Sequence, residues 1–139
     1  ILNTISNCLL IRLAWQGITD LPLSEFSRHI VLVCYGDDLI MNVSDEMIDK
    51  FNAVTIGDFF SRYKMEFTDQ DKSGNTVRWR TLQTATFLKH GFLKHPTRPV
   101  FLANLDKVSI EGTTNWTHAR GLGRRVATIE NAKQALELA

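Results

Sequence analysis

The tightest constraint on the fold is a change of period at residue 30. Ile30, Val31, Leu32, Val33 and Cys34 form an apolar run rich in β-branched side chains. Tyr35-Gly36-Asp37-Asp38 interrupts it, and Leu39, Ile40 and Met41 resume it. Two apolar strands around a Gly-Asp turn predict an antiparallel hairpin. On either side the period is helical. Ile1, Ile5, Leu9 and Leu13 are spaced as on one helix face, which predicts a helix from Asn3 to Gln16 ended by Gly17. Pro22 then suits the first turn of a short helix through Arg28. After the hairpin, Ser44 or Asp45 can cap a helix through Asn52, and Thr55 with Asp58 forms a capping box for another through Tyr63.

Beyond residue 64 the signals shorten. Met65 and Phe67 predict a short strand before the polar loop Thr68 to Asn75, and Val77 to Arg80, Thr86 to Leu88 and Phe92 to Leu93 predict more strands. The pattern past Pro96 is irregular until a last helix, capped by Thr128, with Ile129, Ala132, Leu136 and Ala139 as its apolar stripe. Helix, hairpin, helices and further strands describe an α+β fold, with helices over one face of an antiparallel sheet. Phe59, Phe60, Tyr63 and Met65 are expected in the core. The chain starts without Met inside a running helical stripe and stops with another still running. It therefore reads as a fragment whose parent continues on both sides.

Charge and cysteine usage narrow the function. Sixteen Lys and Arg against fifteen Asp and Glu leave a net charge of +1, so no bulk field calls for a nucleic acid or an anionic membrane. Local patches must hold any such partner. No apolar run approaches the roughly 18 to 20 residues of a membrane span. Cys8 and Cys34 fit neither a disulfide framework nor a metal motif, and His29, His90, His95 and His118 lack ligand spacing, so reduced thiols and no structural zinc are expected.

The chemistry concentrates at the hairpin turn. Asp37 and Asp38 are adjacent carboxylates on a tight turn between apolar strands, where like charges need a cation. Hard oxygen donors without imidazole or thiolate suit Mg²⁺ or Mn²⁺. Gly36 lets the backbone turn and approach a ligand without a Cβ in the way. Read from the residues alone, a solvated turn without a ligand stays open beside this.

Tyr35-Gly36-Asp37-Asp38 within its apolar flanks resembles motif C of the RNA-dependent RNA polymerases of positive-strand RNA viruses, in the picornavirus-like style. The flanking segments resemble the same family in order. Ile1 to Asn7 with Leu9 to Arg12 looks like the end of motif B, whose pattern S-G-x-x-x-T-x-x-x-N would end at Asn3. Thr68 to Ser73 looks like the motif D loop with Lys72 at the family's lysine, and Phe87-Leu88-Lys89-His90 looks like motif E. A looser likeness runs through Asn115-Trp116-Thr117 to the last helix. The resemblance thus implies a palm subdomain over residues 1–95, then a connection and the start of a helical thumb over 96–139.

It also implies roles. Asp37 would be the principal ligand of two divalent ions, with Asp38 contributing less directly. Lys72 would meet the β and γ phosphates of a nucleoside triphosphate and protonate departing pyrophosphate. Asn3 would help recognise the ribose 2′-hydroxyl. Lys89, Tyr35 and Gly36 would contact RNA, with Lys89 on the primer backbone. Template and primer RNA, nucleoside triphosphates and other viral replication proteins are the implied partners, at membrane-associated replication complexes in the host cytoplasm. Motif A and the Ser, Gly and Thr of motif B are missing, so the fragment alone is expected to be inactive. His90 stands where the family commonly has Arg and receives no cationic role. A reverse transcriptase palm is the nearest enzymatic rival, which Gly36 disfavours; a noncatalytic RNA-binding or assembly module is the rival from another class. Arg78, Arg80, Lys94, His95 and Arg98, interleaved with Trp79 and Phe92, are either an RNA groove or a solvated edge. Arg120, Arg124 and Arg125 with Gly121 and Gly123 are either an RNA-contacting loop or a surface loop.

Overall fold

A computed structural model of the chain describes residues 1–72, 74, 76–113 and 123–138. Two units result, Ile1–Thr81 and Leu82–Ala139, each with helices and one antiparallel strand pair, so the α+β expectation holds. Asn115-Trp116-Thr117, His118, Arg120, Gly121 and Ala139, together with Ser73 of the polar loop, lie outside the described residues.

The first unit is built on Trp15, which is fully buried on α1 (Leu2–Thr19). Its indole meets Phe26 edge-on at 5.7 Å and Phe51 at 5.3 Å, stacks on His29 at 5.8 Å, and donates its N–H to the Pro22 carbonyl at 3.4 Å. Phe26 and His29 belong to α2 (Leu23–His29). Ile11, Ala14, Ile30, Met47, Ile56, Phe59 and Phe60 complete the buried cluster, and Leu32, Leu39, Met41 and Val43 of the hairpin pack partly against it. Fully burying a side chain of this class stabilises by roughly 1.5 to 3 kcal/mol. Aromatic rings at these separations add about 0.5 to 1.5 kcal/mol per pair.

Two expectations for α1 are corrected. Gly17 does not end the helix, which continues to Thr19 and closes on Asp20 at φ 59. A mid-helix glycine costs only about 1 kcal/mol, and here its missing Cβ makes room, because a Cβ would overlap the ring edge of buried Phe59. Ile1, Ile5, Leu9 and Leu13 are not the core face either; all four are exposed. The helix is apolar on two sides, and the face carrying Ile11, Ala14 and Trp15 takes the core because the aromatic cluster lies there.

The hairpin forms as expected. β1 (Ile30–Tyr35) pairs antiparallel with β2 (Asp38–Val43), in a register running from Ile30 opposite Val43 to Tyr35 opposite Asp38. Residues 44–52 form successive turns rather than a helix, tied by Met47 N–H to the Ser44 carbonyl and Phe51 N–H to the Met47 carbonyl. Buried Asn52 explains the break. Its amide donates to the Ile48 and Asp49 carbonyls while its oxygen accepts from Val54 and Thr55 N–H. The capping box of α3 (Ala53–Ser61) therefore pairs Asn52 with Thr55, three residues before the expected Thr55 with Asp58. Met65 and Phe67 form no strand. Met65 N–H bonds the Phe60 carbonyl, and the Phe67 ring lies 6.0 Å from that of Phe60. Phe59 and Phe60 are core, whereas Tyr63 and Met65 are exposed. Val77 to Arg80 is likewise no strand.

In the second unit, β3 (His90–Lys94) pairs antiparallel with β4 (Phe101–Leu105), from His90 opposite Leu105 to Lys94 opposite Phe101. Of Thr86 to Leu88 only Phe87 bridges, to His90. β4 and α4 (Lys107–Thr113) escaped the sequence reading, and Asp106 fixes the start of α4 by accepting from Ser109 N–H and Oγ. These bonds hold the Asp106 carboxyl below the usual range. α5 (Arg124–Leu138) begins before Thr128, which is therefore no cap. Ala127 is its buried residue, while Ile129 and Leu136 of the expected stripe are exposed.

Two helical glycines should respond oppositely to substitution. Gly17→Val drives a branched side chain into Phe59 and should lower stability by about 1 to 3 kcal/mol. Nothing lies within 4 Å of a Cβ on Gly57, so Gly57→Ala should raise stability by roughly 0.5 to 1 kcal/mol. Urea midpoints at unchanged m-value read both; a parental midpoint for Gly17→Val would remove Phe59 as the reason for that glycine.

Candidate active site

The hairpin ends in a two-residue turn, Gly36-Asp37, with φ +63 at Gly36. Positive φ at the first turn residue is what a primed hairpin turn demands, and glycine adopts it without steric cost. No atom lies within 4 Å of a Cβ on Gly36, so the requirement there is conformational. α1 holds the Gly36 backbone at both its N–H and its C=O. Thr4 Oγ1 accepts from Gly36 N–H at 2.9 Å, and Asn7 Nδ2 donates to the Gly36 carbonyl at 2.8 Å. Three residues apart on a helix, Thr4 and Asn7 share a face. Sequence reading passed over both; their positions one and four residues after Asn3 were the available signal. Asn3 itself is exposed in the first turn of α1.

Asp37 and Asp38 are exposed on this fixed turn, and Tyr35 beside them is 69% exposed. Among the described residues no Lys, Arg or His forms an ion pair with either aspartate. Nor do three or more potential metal ligands converge anywhere among them. The turn thus offers two hard oxygen donors and needs further ligands from outside. This donor set fits Mg²⁺ or Mn²⁺ held partly by substrate. Burial first, then the neighbouring Cys8, Asp37 and Asp38, push the Cys34 thiol up.

Lys72 lies in the same unit on the loop after α3, exposed, with φ 48 and its N–H on the Asp69 carbonyl at 3.0 Å. Among the described residues its ammonium has no ion-pair partner, and no bond joins it to Asp37 or Asp38. Arg80 is not free for an RNA groove. Its Nε and Nη2 donate to the two oxygens of Asp69 at 3.3 and 2.7 Å, and Nη2 reaches Asp71 at 2.6 Å. The Arg80 bonds hold the Asp69 carboxyl below the usual carboxylate range, helped by Gln70 and Val77 N–H. An open groove of about 700 Å³ between α3 and residues 64–76 is lined by Val54, Gly57, Lys64 and Phe67 among others, but not by Asp37 or Asp38.

Lys89 belongs to the second unit. It follows Leu88 in the turn closed by Phe87 and His90, whose N–H and C=O groups exchange bonds at 2.9 Å. Leu88 and Lys89 take φ 51 and 63, two consecutive left-handed residues without glycine, each costing roughly 1 to 2 kcal/mol. His90 Nδ1 lies 2.8 Å from the Leu88 carbonyl, across the same turn. His95 Nδ1 accepts from Thr97 and Arg98 N–H at 3.1 Å, which ties the ring to the β3–β4 connection.

The whole chain, residues 1–139, matches the family model described as viral RNA-dependent RNA polymerase. It is 93% identical over its full length to part of the genome polyprotein of Deformed wing virus, of which it covers 5%. Over 105 residues, 74% of the chain, it is 35% identical to the replicase polyprotein of Acute bee paralysis virus, of which it covers 6%. The chain thus spans about a twentieth of these relatives' length. Its fold is similar to that of the Sicinivirus 3Dpol RNA dependent RNA polymerase, with a TM-score of 0.60 at 16% identity, over 97% of this chain and 30% of the other.

Two measurements check this geometry. Thr4→Val should remove the acceptor for Gly36 N–H and speed its amide exchange about fivefold, the equivalent of roughly 1 kcal/mol for one hydrogen bond. Unchanged exchange would show that α1 does not hold the turn. Because the folded-state pKa of Asp69 is depressed, its stabilisation is complete above the usual carboxylate range and is lost as pH falls through the lower folded value. The stability margin over Asp69→Asn should therefore be largest at neutral pH and vanish in strong acid, as read by urea unfolding across pH.

Proposed function

Because the chain belongs to the viral RNA-dependent RNA polymerase family, of the picornavirus-like kind, we propose that it forms part of the polymerase palm and carries carboxylates of the catalytic metal site on the turn Tyr35-Gly36-Asp37-Asp38. The observation that carries this reading is the turn itself. Two exposed carboxylates without an ion-pair partner among the described residues sit on a turn whose Gly36 N–H and C=O are both held, by Thr4 and Asn7. The reaction is nucleotidyl transfer: an RNA 3′-hydroxyl attacks the α-phosphate of a nucleoside triphosphate, a P–O bond forms, and pyrophosphate leaves.

Mg²⁺ or Mn²⁺, two ions in the complete enzyme, would activate the 3′-hydroxyl and neutralise the triphosphate. Asp37 is the principal ligand this chain supplies, and Asp38 the secondary one. The aspartate expected in motif A has no counterpart in these residues, so the complete polymerase must supply it. Lys72 donates a proton to departing pyrophosphate, its uncommitted ammonium being suited to a general acid. Asn3 contacts the ribose 2′-hydroxyl, the group that separates ribonucleotides from deoxyribonucleotides. Tyr35 and Gly36 lie against the RNA end, and Lys89 contacts the primer backbone, where a cation positions RNA without reading sequence. Template, primer, nucleoside triphosphates and other viral replication proteins are the partners, at membrane-associated replication complexes in the host cytoplasm. No helix among the described residues is long and apolar enough to cross a membrane.

Asp37→Asn in the complete polymerase should lower single-nucleotide incorporation by about 10³-fold, since a lost ion contact is worth several kcal/mol in the transition state. Asp38→Asn should cost less, and RNA affinity should stay at the parental value in both. Parental elongation by Asp37→Asn would overturn the catalytic assignment and leave an RNA-binding module in its place.

A further inference from the structure

Asp69, Asp71 and Lys72 crowd two carboxylates and one ammonium into four residues of an exposed loop. In such a loop the nearest cation for Asp71 is its neighbour Lys72. The structure gives Asp71 another partner. Arg80, from beyond the loop, engages both oxygens of Asp69 and turns the same Nη2 to Asp71. Its planar fork suits this bidentate arrangement, which an ammonium cannot reproduce. Arg80 and Asp69 are 22% and 14% exposed at their side chains, so the pair is shielded more than an ordinary surface bridge. Asp69 also fixes the backbone around Lys72, accepting from Gln70 and Val77 N–H through its carboxylate and from Lys72 N–H through its carbonyl.

We propose that Arg80 is a positioning residue of the polymerase reaction: by holding Asp69 and Asp71 together it sets the loop and leaves the Lys72 ammonium uncommitted for the triphosphate. This inference rests on the reading of Lys72 given above. Arg80 touches neither substrate nor metal in this role. It acts through Lys72, by neutralising two carboxylates that would otherwise capture that lysine and repel an anionic nucleotide.

Single-nucleotide incorporation by the complete polymerase, with rate constant and nucleotide affinity measured separately, tests it. Arg80→Gln should lower the rate constant at saturating nucleotide by about tenfold, the scale of a modest misplacement, with RNA affinity at the parental value and a stability loss no larger than that of Asp69→Asn. Arg80→Lys keeps the charge without the fork and should fall between. Arg80→Gln/Asp71→Asn should recover part of the lost rate, because the competing carboxylate is gone. In a Lys72→Leu background Arg80→Gln should add no further loss. A parental rate constant for Arg80→Gln, full additivity with Lys72→Leu, or a loss confined to RNA affinity or to folding would each overturn the proposal. If Lys72→Leu alone incorporates at the parental rate, the assignment of Lys72 fails first; if it is slow while Arg80→Gln is not, only the role of Arg80 fails.

Discussion

Everything in the first unit hangs on the burial of one indole. Trp15 joins three stretches that are separate in sequence: α1, which carries it; α2, which supplies Phe26 and His29; and the turns after the hairpin, which supply Phe51. With α1 anchored there, its N-terminal half runs along the hairpin and brings Thr4 and Asn7 to the Gly36 peptide. The turn that carries Asp37 and Asp38 is therefore positioned by packing at a distance. The aromatic cluster sets the helix, and the helix sets the turn through two hydrogen bonds.

What the sequence revealed and what it hid divide along the range of the interaction. The hairpin was legible because alternation and a Gly-Asp turn are local, and Asp37 and Asp38 stood out because adjacent carboxylates need a cation. The capping box was legible within three residues, since Asn52 and Thr55 both favour helix starts. The end of α1 was not, because Gly17 answers to Phe59, forty-two residues later, rather than to its own backbone. The turns at 44–52 were hidden by Asn52, whose side chain ends one segment and starts the next. β4 pairs with β3 only through its tertiary neighbour. The most informative miss was Arg80, read as part of a basic interval when its partners are two aspartates on the preceding loop.

The two aspartate pairs of this unit show how charge is allotted. Asp69 and Asp71 share one guanidinium and are spent on holding a loop. Asp37 and Asp38, adjacent in sequence, have no ion-pair partner among the described residues and stay exposed. In a chain of net charge +1 this contrast is local arrangement, not bulk excess. One pair has its counter-charge built in, while the other has none among the described residues.

The Arg80–Asp69 pair also has a meaning in polymer terms. It closes a ring of eleven residues without a covalent bond. Ring closure restricts the chain as a disulfide would, and its entropic cost grows only slowly with ring size. Unlike a covalent tie, an ionic one answers to the medium: the screening length is about 8 Å at physiological ionic strength and about 3 Å at 1 M salt. The loop carrying Lys72 is thus laced by a reversible knot whose tightness is a property of the solution as well as of the sequence.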